Sequence, residues 1–154
     1  MPDFDIEERV SQAVGNFMSG YNCAQSVFLA YSDLFGLDIE LAKSISVSFG
    51  GGMARMREVC GTVSAMAMLA GLKYPVVDPL DQEARTVNYA VVQGLGKSFK
   101  EKFGTIICRE LLPAAEAAKQ TPEPSLRTQE YYAKRPCVRY VEASARLAGE
   151  MLKR

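Results

Sequence analysis

Apolar residues recur along this chain at intervals of three and four, and no sustained alternation of apolar and polar residues appears. That period lays apolar side chains along one face of a helix and predicts an all-α fold. Phe4, Ile6, Val10, Ala13, Val14 and Phe17 mark a first helix from Phe4 to Met18, with Gly20 as its stop. Asn22 reads as the cap of a second helix running to about Phe35, with Cys23, Val27, Ala30, Tyr31 and Leu34 on its inner face. Gly36 closes it, and Asp38 caps a third helix through Leu41, Ala42, Ile45 and Val47. The run Gly50-Gly51-Gly52 is a break or a tight backbone passage. A fourth helix spans about Glu58 to Leu72. Its small residues Gly61, Ala65, Ala67 and Ala70, with Met66 and Met68, suit a central position. Pro75 and Pro79 mark a loop before a fifth helix, Leu80 to Lys102, loosened at Gly94 and Gly96. A short sixth helix covers Ile106 to Leu112. After a loop at residues 121–125, Pro136 opens a last helix ending near Leu152. At 154 residues and 48% hydrophobic, the chain suffices for one core. We therefore expect a single domain, 1–154, built as a bundle of six or seven helices.

Histidine is absent. This excludes the Ser-His-Asp triad, the Cys-His nucleophile pair and every His-bearing metal site. The 18 basic and 18 acidic residues balance, so the basic footprint of a nucleic-acid binder is missing. The opening residues are acidic and no stretch approaches 18 apolar residues, so no membrane span is expected and the predicted location is cytoplasmic. Cysteines there are metal-binding, catalytic or buried more often than disulfide-bonded.

There are four, Cys23, Cys60, Cys108 and Cys137, separated by 37, 48 and 29 positions. No C-x-x-C occurs, which argues against thioredoxin-type and zinc-knuckle motifs. Each cysteine lies near a predicted helix start, after Asn22, after the glycine run, after Gly104 and after Pro136. Exposed N–H groups and the helix dipole there favour the thiolate, the form that binds metal and attacks disulfides. Arg57, Arg109, Arg135 and Arg139 lie near them in sequence and favour the same form. Asn22, the amides of Gly50, Gly51 and Gly52, and the small Gly61 are candidates to surround the sulfurs, although capping is the simpler use of Asn22. The glycine run lacks the Lys-Ser/Thr of a P-loop. The plainer reading of each cysteine alone is a small buried hydrophobe.

The residues Tyr21-Asn22-Cys23-Ala24, Phe49-Gly50-Gly51-Gly52-Met53 and Val59-Cys60-Gly61-Thr62-Val63-Ser64-Ala65, followed by single Cys108 and Cys137, resemble the C_GCAxxG_C_C family, named for a redox-active role and four cysteines. The resemblance runs from about Gly20 to Val141 and matches the four cysteines one by one. Thr62 stands where the family's Cys-Gly-Ala-x-x-Gly motif has Ala, and Ala65 where it has the second Gly; both keep the position small. The resemblance implies a bacterial or archaeal helical redox or metal protein. The family is in turn similar to the iron–sulfur portion of split-Soret cytochromes, whose cysteines hold a two-iron cluster.

Three functions follow as expectations. Four thiolates without histidine suit an iron–sulfur cluster, with tetrahedral zinc as the alternative, for electron transfer, redox sensing or metal handling. Metal-free dithiol–disulfide cycling needs no cofactor and a pair with Cα atoms within about 7 Å. A helical interaction module would use Tyr131, Tyr132 or the methionines between Met53 and Met68. The partner would be an electron-transfer or thiol protein; a homodimer is compatible with the sequence but not demanded by it.

Overall fold

The computed structural model describes all 154 residues. It is all-α, without strands. The helices are α1 (Ile6–Met18), α2 (Cys23–Leu29), α3 (Ile39–Val47), α4 (Gly61–Lys73), α5 (Gln82–Phe103), α6 (Cys108–Leu111), α7 (Ala114–Ala117), α8 (Gln129–Lys134) and α9 (Cys137–Lys153). The six of seven residues or more make the bundle. The starts of α1, α3 and α5 are set by Asp5, Asp38 and Asp81, whose carboxylates accept from backbone N–H groups three residues on. Asn22 builds a full capping box with Gln25 at the start of α2.

Several boundaries differ from the sequence reading. The second helix ends at Leu29; Ser32–Phe35 forms a separate 3-10 turn, because Tyr31 leaves the helical region at ψ −11° with φ −131°. The fourth helix begins at Gly61, not Glu58, because residues 58–60 run extended and pair with the segment before Cys108. Gly94 and Gly96 do not loosen α5, which is continuous; both face open space. The short α7 and α8 were not expected.

α4 is the central helix, packed against α2, α5 and α9, while α1 lies against α2 and α9. The core between them holds Phe17, Phe28, Tyr31, Met66, Leu69, Phe99, Val141 and Met151, all nearly inaccessible. α9 enters this core along Ala145, Ala148 and Gly149. A Cβ on Gly149 would stand 2.6 Å from the Tyr31 hydroxyl oxygen. The hydroxyl instead passes over the glycine and donates to the Ala145 carbonyl at 2.7 Å. No helix is long and apolar enough to cross a membrane.

Candidate functional site

Each cysteine sits at a helix start. Cys23, Cys108 and Cys137 are the first residues of α2, α6 and α9, and Cys60 is the residue before α4. Two are brought side by side by backbone pairing. Val59 and Ile107 form an isolated antiparallel bridge. The Cys60 N–H donates to the Ile106 carbonyl at 2.8 Å, and the Cys108 N–H to the Glu58 carbonyl at 2.6 Å. This short ladder fixes the register of the two segments and so the relative placement of their sulfurs.

Close approach requires glycine at two points. A Cβ on Gly61 would lie 2.6 Å from the Cys23 sulfur and 2.7 Å from the Phe49 carbonyl. At Gly52 it would lie 2.6 Å from the Cys108 Cβ, and the backbone there is left-handed, φ +66°. The left-handed stretch continues beyond the glycines. Met53, Ala54, Arg55 and Arg57 all have φ between +50° and +67°. Such a conformation costs an L-residue roughly 1–2 kcal/mol. The stretch is held by bonds to carbonyls six residues back: Ala54 to Ser48 at 2.8 Å, Arg57 to Gly51 at 3.1 Å and Glu58 to Gly52 at 2.9 Å.

All four cysteines line one cavity of about 320 Å³. Gly50, Gly51 and Gly61 form part of its wall, with Asn22, Leu111, Tyr131 and Tyr140. Four guanidinium groups also line it, those of Arg55, Arg57, Arg127 and Arg135, and no carboxylate does. Glu116, buried behind the wall, pairs with Arg135 at 2.9 Å and Lys119 at 2.6 Å. Arg55, Arg57 and Arg127 take part in no ion pair. They anchor backbone instead. Arg57, only 1% exposed, donates to the Lys119 carbonyl at 2.7 Å and comes within 3.9 Å of the Cys108 sulfur. Arg127 donates to the Phe17 and Tyr21 carbonyls, each at 2.8 Å. Arg55 and Arg135 both donate to the Ser125 hydroxyl. The irregular segment around Pro122, Pro124 and Ser125 is thereby tied across the cavity.

The thiols differ from the sequence expectation. Helix starts and arginines predicted low thiol pKa values, but burial dominates. It pushes Cys60 up to about 12, with the neighbouring Cys23 adding to the rise, and raises Cys108 and Cys137 as well. The helix dipole is worth a few tenths to about 1 kcal/mol at exposed ends, less than the cost of desolvating a thiolate. All four are free thiols. Cys60 has one close polar partner, the Thr62 hydroxyl at 3.2 Å. Ser144 donates to Thr62 at 2.9 Å, and between Thr62 and the Cys60 sulfur either group can be the donor.

Other expected neighbours fall elsewhere. Arg109 faces outward, donating to the Arg57 carbonyl and pairing with Glu58. Arg139 is exposed beside the Phe103 ring. Asn22 lines the cavity, but its amide donates to the Val47 carbonyl, not to sulfur. Gly52 acts by making room for Cys108, not by lining the wall. Tyr131 and Tyr132 are half-buried against Phe17 and do not form an exposed partner surface. Met66 is core, while Met53 and Met56 are exposed. Arg55, Arg127, Ser125 and Glu116 were missed; their only sequence signal is their charge or hydroxyl, in segments without helical period.

A helical bundle in which four dispersed cysteines line one cavity defines a cysteine-rich all-α protein. The chain belongs to the family described as C_GCAxxG_C_C, putative redox-active protein, which matches residues 21–151. No curated protein and no solved structure matches it.

Proposed function

We propose that Cys23, Cys60, Cys108 and Cys137 together ligate an iron–sulfur cluster, and that the chain is a one-electron redox protein. The observation that carries this reading is the convergence of all four cysteines on a cavity lined by four guanidinium groups and no carboxylate.

The donor set fits such a group. Iron–sulfur clusters take four cysteine thiolates, and the assembly is a net anion. A buried cation without a counter-ion is costly, so an anionic centre would stabilise Arg57 and, less strongly, the half-buried Arg55 and Arg127. Tetrahedral zinc, whose structural sites also take four thiolates, is the alternative ion; either group would require the sulfurs to draw closer together, since no three Cys, Asp or Glu side chains gather around one point here. When bound, the cluster would supply reversible one-electron exchange. The chain's own residues set its surroundings. Thr62 can offer a hydroxyl hydrogen to the Cys60 sulfur, and such bonds favour the reduced centre. Leu111, Leu112 and Tyr140 exclude water on the core side. Metal uptake would release the thiol protons that burial retains at neutral pH. The same retention of protons weighs against metal-free thiol–disulfide cycling, which needs a thiolate to attack.

The test is to assay iron, zinc and acid-labile sulfide on protein purified without oxygen, in wild type and Cys60→Ser. Stoichiometric iron and sulfide, lost in the variant, is the expected result. Zinc without sulfide would replace the cluster with a structural ion. Absence of metal together with a reversible disulfide would overturn the reading in favour of thiol chemistry.

A further inference from the structure

We infer that the cavity carries a second binding function beside the sulfurs: a small tetrahedral oxyanion, of the phosphate or sulfate type, held between Arg55, Arg57 and the Ser125 hydroxyl.

Three independent features point there. The first is a deficit of acceptors. The Nε atoms of Arg55 and Arg57 are the buried side-chain polar atoms of this chain that have no hydrogen-bond partner. Buried polar groups are paired in the great majority of native sites, so two orphaned guanidinium N–H groups on one wall mark where acceptors belong. The second is charge. Arg57 and Arg135 both push on Arg55, whose own pKa is lowered first by burial and then by these two neighbours. Glu116 pairs with Arg135 and Lys119 but with neither Arg55 nor Arg57, and Glu123 acts on Arg55 only weakly from the covering segment. The third is strain. The backbone holds Arg55 and Arg57 in left-handed conformations. Strained residues of this kind cluster at ligand clamps, where the surrounding structure over-determines them.

The geometry suits the ligand class. A guanidinium presents a planar fork of N–H donors that matches two oxygens of a phosphate or sulfate. Ser125 accepts from both Arg55 and Arg135, at 3.2 and 3.3 Å, which leaves its own proton free to donate to an anion. About 320 Å³ lies within the range of small-molecule sites, roughly 300–1,000 Å³. A thiolate-held centre would offset part of the charge. Neither Nε hydrogen is paired with a sulfur, and the Cys108 sulfur is met by Arg57 Nη1, at 3.9 Å.

The test is calorimetric titration of the full chain with inorganic phosphate and with sulfate, at constant ionic strength in a chloride background. One saturable site is expected, weakened at least about tenfold by Arg55→Gln, partly restored by Arg55→Lys, and unchanged by Arg139→Gln, whose exposed guanidinium lies beside the Phe103 ring. Circular dichroism melting of each variant separates lost binding from lost fold. Cys60→Ser should retain phosphate while losing metal, so this inference and the cluster reading fail separately. No saturable phosphate or sulfate binding would overturn the inference. So would equal affinity in Arg55→Gln, or acetate binding as tightly as phosphate. Phosphate binding that disappears once metal is loaded would also overturn it, leaving the arginines to the thiolate centre alone.

Discussion

The two ends of the bundle are held together by different physics. Around Tyr31, Ala145, Ala148 and Gly149, side chains are packed out of solvent and the Tyr31 hydroxyl finds a carbonyl. Around the cysteines, long guanidinium arms reach across a cavity to backbone carbonyls, and two of their donors are left over. Close packing is complete within the chain; the cavity end leaves two buried donors without acceptors. A loss of packing should therefore lower stability alone, whereas a change at the cavity end should alter stability and ligand response together.

The largest separation between the two ends should come from Glu116→Gln. Breaking a buried pair leaves Arg135 uncompensated and costs about 3–5 kcal/mol, measured by urea unfolding at pH 7. The acid limb sharpens the point. Hydrogen bonds from Lys119 and then Arg135 hold the Glu116 carboxyl at about 2, below its usual 4.5. A depressed pKa contributes stability that is fully present above about 4.5 and lost as pH falls toward 2. Stability measured across that window should fall more steeply in wild type than in Glu116→Gln. Equal slopes would place the acid sensitivity elsewhere.

Next come two of the close-approach glycines, one from each end. Gly61→Ala and Gly149→Ala should each cost about 1–3 kcal/mol through overpacking. Only Gly61→Ala, pressing on the Cys23 sulfur, should also reduce iron and sulfide content. If Gly149→Ala reduces metal equally at equal stability, the two ends are not independent. Tyr31→Phe removes one buried hydrogen bond and should cost about 1 kcal/mol in the same unfolding assay, with metal content unchanged. The smallest effect belongs to neither end: Gly94→Ala, in open space on α5, should raise stability by about 0.5–1 kcal/mol.

The packed end was legible in the sequence and the cavity end only in part, for the same reason. Helical period and Asp or Asn caps are local signals, and they gave the all-α class, the six long helices and the position of every cysteine at a helix start. The guanidinium wall depends on backbone that no local rule favours. Four non-glycine residues between Met53 and Arg57 adopt positive φ because distant carbonyls and the Val59–Ile107 pairing hold them there. Arg57 and Arg109 look alike as charges near a cysteine; tertiary folding turns one inward and the other out. The thiol pKa values were misjudged because sequence shows a helix terminus but not how dry it is.

The bridge between Val59 and Ile107, and the seating of Cys137 at the start of α9, impose an order on biosynthesis. Made from the N-terminus, the chain presents Cys23 and Cys60 to the cell long before their companions exist, and the last thiol arrives only with the final helix. All four sulfurs can therefore meet only once the segments from Cys23 to Cys137 have folded onto one another.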